Sequence, residues 1–307
     1  MDIEIEFTSP QNCVCDFTYN FYWQHKGKEL DPDGVIPAQN GTDYTYRDLV
    51  TALRSKGTVR INGDSGKRLC SNAGADMRYF GGTGGIIDNG TVIVDGDTGT
   101  RMGMGMASGT IYVSGTPAEP LGNIIEVESD LDGFRKYRSI TDLLNNGSAD
   151  GLLPPNTFDG EQLTLNDCVL RDTIAARCSA DCSVVVNGDA DLSVGMLMKR
   201  GELRVCGNVS MNAGTLLAGG TVIIEKNAGE FAAADMRSGV LIIKGKSKGF
   251  VGGKMKGGVV FIKGGGAAIP PVRKVPLNGD DYRLLMRTMR TNQIEAMMYS
   301  KYSVNSR

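Results

Sequence analysis

Short apolar runs return at a constant step of 19 residues through the second half of the chain. They are Ser183-Val184-Val185-Val186, Glu202-Leu203-Arg204-Val205, Thr221-Val222-Ile223-Ile224, Val240-Leu241-Ile242-Ile243 and Val259-Val260-Phe261-Ile262. Cys182, Gly201, Gly220, Gly239 and Gly258 precede them in register, and Gly188, Gly207, Lys226, Gly245 and Gly264 close them. Each run is rich in Val and Ile, which favours a strand, and each is too short to bury a face alone. A fixed period near 20 residues marks a solenoid, whose stacked copies pair their backbones about 4.8 Å apart. The remainder of the period repeats as well. Gly195, Gly214, Ala233 and Gly252 place a small residue at one offset, and Met198, Leu217, Met236 and Met255 place a large flexible one three positions later. The first lets the chain bend tightly or approach the next coil, and the second can stack inside the cylinder. The pattern predicts an all-β protein, a parallel, right-handed β-helix of 19-residue coils. A hexapeptide helix is disfavoured because 19 is not a multiple of six, and a helical solenoid because Gly and β-branched runs oppose helix.

The same form occurs earlier, over Gly57–Gly63, Gly90–Gly96 and Gly109–Gly115, with Gly103 and Met106 at the matching offsets. The step from Gly57 to Gly90 is 33, an excess of 14 that falls within residues 70–85. Insertions in solenoids map to loops, often on the binding face. This one carries Asp76, Arg78, Tyr79, Gly81 and Gly82 as candidate ligand-binding residues. Its Gly-rich backbone can cradle an anion, or the loop is a plain excursion. Two related modules are expected, 1–150 and 151–307, since Gly34-Val35-Ile36-Pro37 and Gly151-Leu152-Leu153-Pro154 resemble each other and are each followed by an apolar entry segment and then the coils, from Thr58 and from Ser183.

Outside the repeat, Met1–Glu6 alternates like a strand, and residues 1–50 read as a small cap over an open coil edge, which would otherwise invite pairing. The cap holds Phe17, Tyr19, Phe21, Tyr22, Trp23 and the one His, His25. Thr45–Leu53 predicts a short helix capped at Thr45 or Asp43, Ile124–Val127 a further strand, and Ser139–Leu144 a helix ending at Asn145-Asn146-Gly147. At the C-terminus, Gly279–Ser300 predicts a helix with Tyr282, Leu285, Met286 and Met289 on one face and Ile294, Met297 and Met298 following at helical spacing. Arg283, Arg287, Arg290, Lys301 and Arg307 surround it, either covering the last coil or docking on a partner subunit.

Composition narrows the chemistry. The 307 residues carry 42 Gly, in keeping with several turns per coil, and a net charge of −2, which makes no overall case for nucleic acid or an anionic membrane. No secretion signal or membrane-length apolar run is present, and the seven Cys are odd in number, so a cytoplasmic protein with reduced thiols is expected. With one His, no Ser-His-Asp arrangement is suggested. Cys13 and Cys15 are candidate metal ligands, yet two ligands fall short of the four that structural zinc takes. Cys178 and Cys182, with three residues between them, do not have metal-ligand spacing; Cys182 and Cys206 read as ordinary small buried residues, and the turn Asp residues, among them Asp64, Asp97, Asp189 and Asp191, as local hydrogen-bonding groups. No catalytic set is therefore expected.

The repeat resembles the Gly-rich (GXGXG) β-helix found in the β-helical subunit of formylmethanofuran dehydrogenase and in the C-terminal domain of the glutamate synthase large subunit. The resemblance is carried by residues 226–245, Lys-Asn-Ala-Gly-Glu-Phe-Ala-Ala-Ala-Asp-Met-Arg-Ser-Gly-Val-Leu-Ile-Ile-Lys-Gly, and by the weaker copy Gly96–Gly115. It covers roughly 57–115 and 182–264, and it is specific for fold more than for activity. It implies a non-catalytic scaffold subunit of a multi-subunit oxidoreductase in one-carbon metabolism, methanogenesis included, with protein subunits as partners. Molybdenum or tungsten pterin and iron–sulfur clusters would belong to those partners, and no cofactor to this chain. The alternatives are a stand-alone assembly or maturation factor holding a cofactor or cluster through Cys13 and Cys15, and a glutamate-synthase-like subunit.

Overall fold

The structure, a computed structural model, describes residues 1–19 and 30–304. Phe21, Tyr22, Trp23, His25 and Arg307 lie outside the described residues. The chain divides into two compact units, Met1–Gly160 with Val169–Ala176, and Glu161–Cys168 with Arg177–Arg307. Both are parallel β-solenoids.

In the first unit, β1 (Ile3–Glu6), β2 (Thr58–Asn62), β3 (Thr91–Asp95) and β4 (Thr110–Val113) pair in parallel, in chain order. The register aligns Ile3, Val59, Val92 and Ile111 in one inward column and Ile5, Ile61, Val94 and Val113 in the next. All eight are buried. The segment expected as a cap is therefore itself the first coil. Its second side bridges Gln11 to Ser65, which continues to Thr98 and Pro117, and Cys13 and Phe17 donate backbone N–H groups to Lys67 and Ser71. Helix α1 (Tyr46–Arg54) belongs to the long excursion between β1 and β2, with Thr45 and Asp48 forming its capping box and Leu49 and Leu53 buried. The ladder ends in an antiparallel hairpin, β5 (Ile124–Val127) and β6 (Arg135–Ser139), in which β6 pairs with β4 and buries Tyr137. Helix α2 (Ile140–Asn146) follows, capped by Ser139 and closed by Gly147 at φ 64°. A two-residue strand, β7 (Thr157–Phe158), lies near the unit's end.

Residues 169–176 are held in this unit by buried polar contacts. The Asp172 carboxylate accepts from Arg101 at 2.7 Å and from Thr173 at 2.7 Å, and Arg171 Nε donates to the Ile124 carbonyl at 2.9 Å. Asn123 donates to Met106 and Thr141 and accepts from the Ala175 amide. Such buried groups are tolerated because they are paired.

The second unit begins one strand before the recognisable repeat, at β8 (Gln162–Leu165), and continues through β9 (Ser183–Val186), β10 (Glu202–Val205), β11 (Ala218–Ile224), β13 (Ser238–Ile243) and β15 (Val259–Ile262). All pair in parallel, aligning Leu163, Val184, Leu203, Val222, Leu241 and Val260. A second side carries the short parallel pair β12 (Ala228–Glu230) and β14 (Ser247–Gly249). Met198, Leu217, Met236 and Met255 are buried in the interior, as the spacing predicts.

The third side explains the small-residue offset. In each coil three residues spaced by two adopt left-handed backbone, for example 193/195/197, 212/214/216, 231/233/235 and 250/252/254. Their amides reach alternately to neighbouring coils: Phe231 and Asp235 donate to Gly249 and Gly253, Ala233 to Ala213. Left-handed backbone costs a residue with a Cβ about 1–2 kcal/mol. The middle position also faces the interior, where a Cβ on Gly195 would lie 2.6 Å from Val222 and one on Gly252 2.4 Å from Val272. Gly meets both demands.

The turn Asp residues do not act locally, as expected, but between coils. Asp64 accepts the Asp97 amide and Asp97 that of Thr116; Asp189, Asn208 and Asn227 accept in turn from Asn208, Asn227 and Lys246. Spacing by 19 turns a turn preference into a polar ladder.

The predicted C-terminal helix is shorter than its hydrophobic pattern. Helix α3 (Gly279–Met289) is capped by Asn278 and ends at Arg290, which has φ 49°. A single turn, α4 (Gln293–Ala296), follows, then β17 (Ser300–Val304), which pairs antiparallel with β15 and with β16 (Val272–Val275). Leu285, Ala296 and Tyr299 cover Ile223, Ile242 and Phe261 on the outer face of the sheet. This accounts for the continuous apolar runs there, against the alternation of Glu202-Leu203-Arg204-Val205, whose outer residues are only partly covered.

Candidate functional site

The inserted loop of the first unit leaves and rejoins the coil through an antiparallel bridge between Ala75 and Ile86. Its anchor is Asp76, whose carboxylate accepts from Arg54 at 2.7 Å, the Thr83 amide at 2.8 Å and the Thr83 hydroxyl at 2.9 Å. The Thr83 amide first, and then Arg54, hold its pKa down at about 2. Gly82 packs where a Cβ would lie 2.3 Å from Asp76 Oδ1, and Gly81 takes φ 82°. Arg78 Nε donates to the Thr83 carbonyl at 3.0 Å. The amides of Gly81, Gly82, Thr83, Gly84 and Gly85 bond to Arg78, Met77, Asp76, Asp76 and Thr83 within the loop. They turn inward and form no anion cradle. What faces outward is Tyr79, 62% exposed, edge-on to Phe80, which is edge-on to Tyr19. The five candidate residues are thus together, but Asp76 and Gly82 serve the loop's own shape.

Cys13 and Cys15 are both buried, at φ 61° and 58°, in a left-handed corner of the first coil. Cys15 and Cys70 hold the middle position of that corner in successive coils and hydrogen-bond to each other; burial first, then this contact, pushes the Cys70 thiol well up. Among the described residues no three His, Cys, Asp or Glu side chains converge as a metal site. No described helix is long and apolar enough to cross a membrane.

The second unit has two features that the sequence pattern did not single out. An open cleft beside the start of β9 and β10 is lined by Glu161, Asp181, Cys182, Lys199, Arg200 and Glu202 among others. Cys182 is half-buried there and Cys206 is also half-buried, so neither is the fully buried small residue that the strand register suggested. The other feature is a basic stretch of chain. From Met236 to Gly279 the chain carries nine Lys and Arg and no Asp or Glu, a segregation that the net charge of −2 conceals. Lys244 pairs with Glu225 and Lys263 with Glu295. Arg237, Lys246, Lys248, Lys254 and Lys256 are exposed and make no ion pair among the described residues. Lys248 and Lys254 flank Phe250 in the chain; Phe250 is 46% exposed and stacks on Phe231 with centroids 5.0 Å apart. On the C-terminal segment Ile294, Met297 and Met298 are exposed by 78%, 60% and 58%.

No family model matches the chain. An uncharacterized protein of Methanothermobacter thermautotrophicus is 48% identical over 207 residues, a match spanning 67% of this chain and 66% of that protein. The chain thus spans just under two thirds of that relative's length. Among solved structures, the chain is similar to one of the formyltransferase/hydrolase complex (FhcABCD) from Methylorubrum extorquens in complex with methylofuran, covering 96% of this chain and 91% of that one. Identity there is 16% and the TM-score 0.31, a likeness too slight to bear on function. The function rests on the chain's own repeat and exposed residues.

Proposed function

We propose that the chain is a scaffold subunit of a multi-subunit oxidoreductase of one-carbon metabolism, of the kind that the β-helical subunit of formylmethanofuran dehydrogenase represents. Two lines support this. The repeat at 226–245 and 96–115 carries the resemblance, and its Gly and Met positions serve turning and stacking. The observation that carries the reading is the Phe231–Phe250 stack of the last coils, with exposed Lys248 and Lys254 near Phe250 in the chain and, among the described residues, in no ion pair. An exposed aromatic side chain beside exposed lysines suits a docking surface for an acidic partner. Ile294, Met297 and Met298 offer a further apolar patch. Metal and pterin centres would reside in the partner subunits.

The test is purification of the tagged chain from its native cells at low ionic strength, as wild type and with Lys246, Lys248, Lys254 and Lys256 changed to Glu. A defined partner held by the wild type, released by salt and lost with the charge-reversed variant is expected. Retention of the partner by the variant would refute this stretch as the dock. A monomer with turnover of its own would refute the scaffold.

A further inference from the structure

Cys178 and Cys182 stand four residues apart in the irregular segment that leads from a left-handed corner into β9. Cys178 is 2% exposed, whereas Cys182 is half-buried and lines the open cleft. The two side chains hydrogen-bond to each other, and the Cys178 sulfur also approaches the Ala180 carbonyl at 4.0 Å. Cys182 is thus the accessible member of the pair, and Cys178 the buried one. Lys199 and Arg200 bring positive charge to the cleft, against Glu161, Asp181 and Glu202 on its other parts. The main chain is held close by the Lys199 amide, which donates to the Cys178 carbonyl at 2.8 Å. The Glu202 amide likewise donates to the Cys182 carbonyl at 3.0 Å, and the three residues between the two cysteines, outside any helix or strand, take up the approach that a disulfide needs.

We propose that Cys178 and Cys182 form an accessible dithiol that undergoes exchange with low-molecular-weight disulfides, Cys182 attacking and Cys178 resolving. The attacking sulfur is the accessible one and accepts the hydrogen bond, which favours its thiolate; the same contact pushes the Cys182 thiol down and the Cys178 thiol up. In the first step the Cys182 thiolate attacks one sulfur of R–S–S–R. A bond forms between Cys182 and that R–S group, the R–S–S–R bond breaks, and the departing R–S⁻ takes up the proton that Cys182 gave up. In the second step Cys178 loses its proton and attacks the Cys182 sulfur. The mixed disulfide breaks, and the second R–S⁻ leaves and is protonated. The protein gives up two electrons and two protons, and the disulfide becomes two R–SH. The chain holds a second thiol pair, Cys15 and Cys70, that is wholly buried and serves as an internal control.

The test uses the full chain, reduced and then exposed to hydroxyethyl disulfide, alkylated, and digested with trypsin. One tryptic peptide, Cys178–Lys199, contains both residues. It is expected to lose two hydrogen atoms and escape alkylation, while Cys15 and Cys70 remain thiols. In Cys178→Ala the hydroxyethyl adduct should accumulate on Cys182, and in Cys182→Ser no adduct should form at Cys178. Cys182 should react about tenfold faster than half-buried Cys206, whose thiol burial pushes up. A Cys178–Lys199 peptide that stays fully alkylated while Cys168 and Cys206 take up the reagent would overturn the proposal. So would an adduct on Cys182 that Cys178 never displaces.

Discussion

Two Gly→Ala substitutions separate the two reasons that glycine recurs in these coils. At Gly229, in β12, an added Cβ would lie 1.4 Å from the Ser210 carbonyl oxygen of the preceding coil. Ordinary contact needs about 3.5 Å, so the coils must part by roughly 2 Å. That breaks the bond from the Gly229 N–H to the Val209 carbonyl, now 3.0 Å, and leaves both the donor and the acceptor stranded. Each stranded buried group costs about 1–3 kcal/mol, giving about 2–6 kcal/mol for Gly229→Ala. At Gly214 the backbone is left-handed at φ 65°, and the added Cβ would meet Leu241 at 3.4 Å. Strain there costs about 1–2 kcal/mol. About 0.4–1 kcal/mol of this is offset by the lower entropy of the unfolded chain. Urea unfolding followed by far-ultraviolet circular dichroism compares the two. With a slope of roughly 2 kcal/mol per molar, the Gly229→Ala midpoint should fall about 1–2 M below that of Gly214→Ala. Equal midpoints, or Gly214→Ala as the weaker protein, would refute close coil approach as the dominant constraint at Gly229.

Other consequences are as direct. Asn123→Ala strands the Ala175 amide in the first unit and should cost about 1–3 kcal/mol for that group, read as a lowered unfolding midpoint. Leu285→Ala removes the buried anchor of α3 over Ile223, Ile242 and Phe261 and should cost about 2–5 kcal/mol, with hydrogen exchange quickening first in α3. Because the folded Asp76 pKa lies near 2, below the ordinary 3.8, its contribution is fully present above about pH 4 and is lost as pH falls through about 2. An NMR titration should show the Asp76 carboxyl carbon and the Thr83 amide moving with one midpoint near 2, and Thr83→Ala should raise it.

The ladder was legible in the sequence because stacked coils demand like residues at like offsets, and 19 recurs without interruption from Cys182 to Gly264. The elements that escaped break that step. The first strand, β1, legible as a strand but not as a rung of the ladder, pairs with β2 across the excursion that contains α1, and β8 precedes β9 by 21 residues. Antiparallel β6 and β17 close their ladders through tertiary pairing that no period announces. The inserted loop was visible as an excess of 14 residues, but the inward turn of its amides depends on Asp76 meeting Arg54 from α1, a contact between distant positions. Cys178 and Cys182 were visible as a spacing; their contact, and the difference in their exposure, are set by an irregular segment. The basic stretch was present in the sequence as a run without acids, hidden by summing charge over the whole chain.

The most direct measurement of the scaffold role is native mass spectrometry of the tagged chain isolated anaerobically from its own cells, with metal analysis of each component. A scaffold predicts a stoichiometric assembly in which iron and molybdenum or tungsten reside in the other subunits. It also predicts lysine cross-links to them running from Lys246, Lys248, Lys254 and Lys256. A chain that flies alone and turns over substrate, or that carries the metal itself, would contradict it.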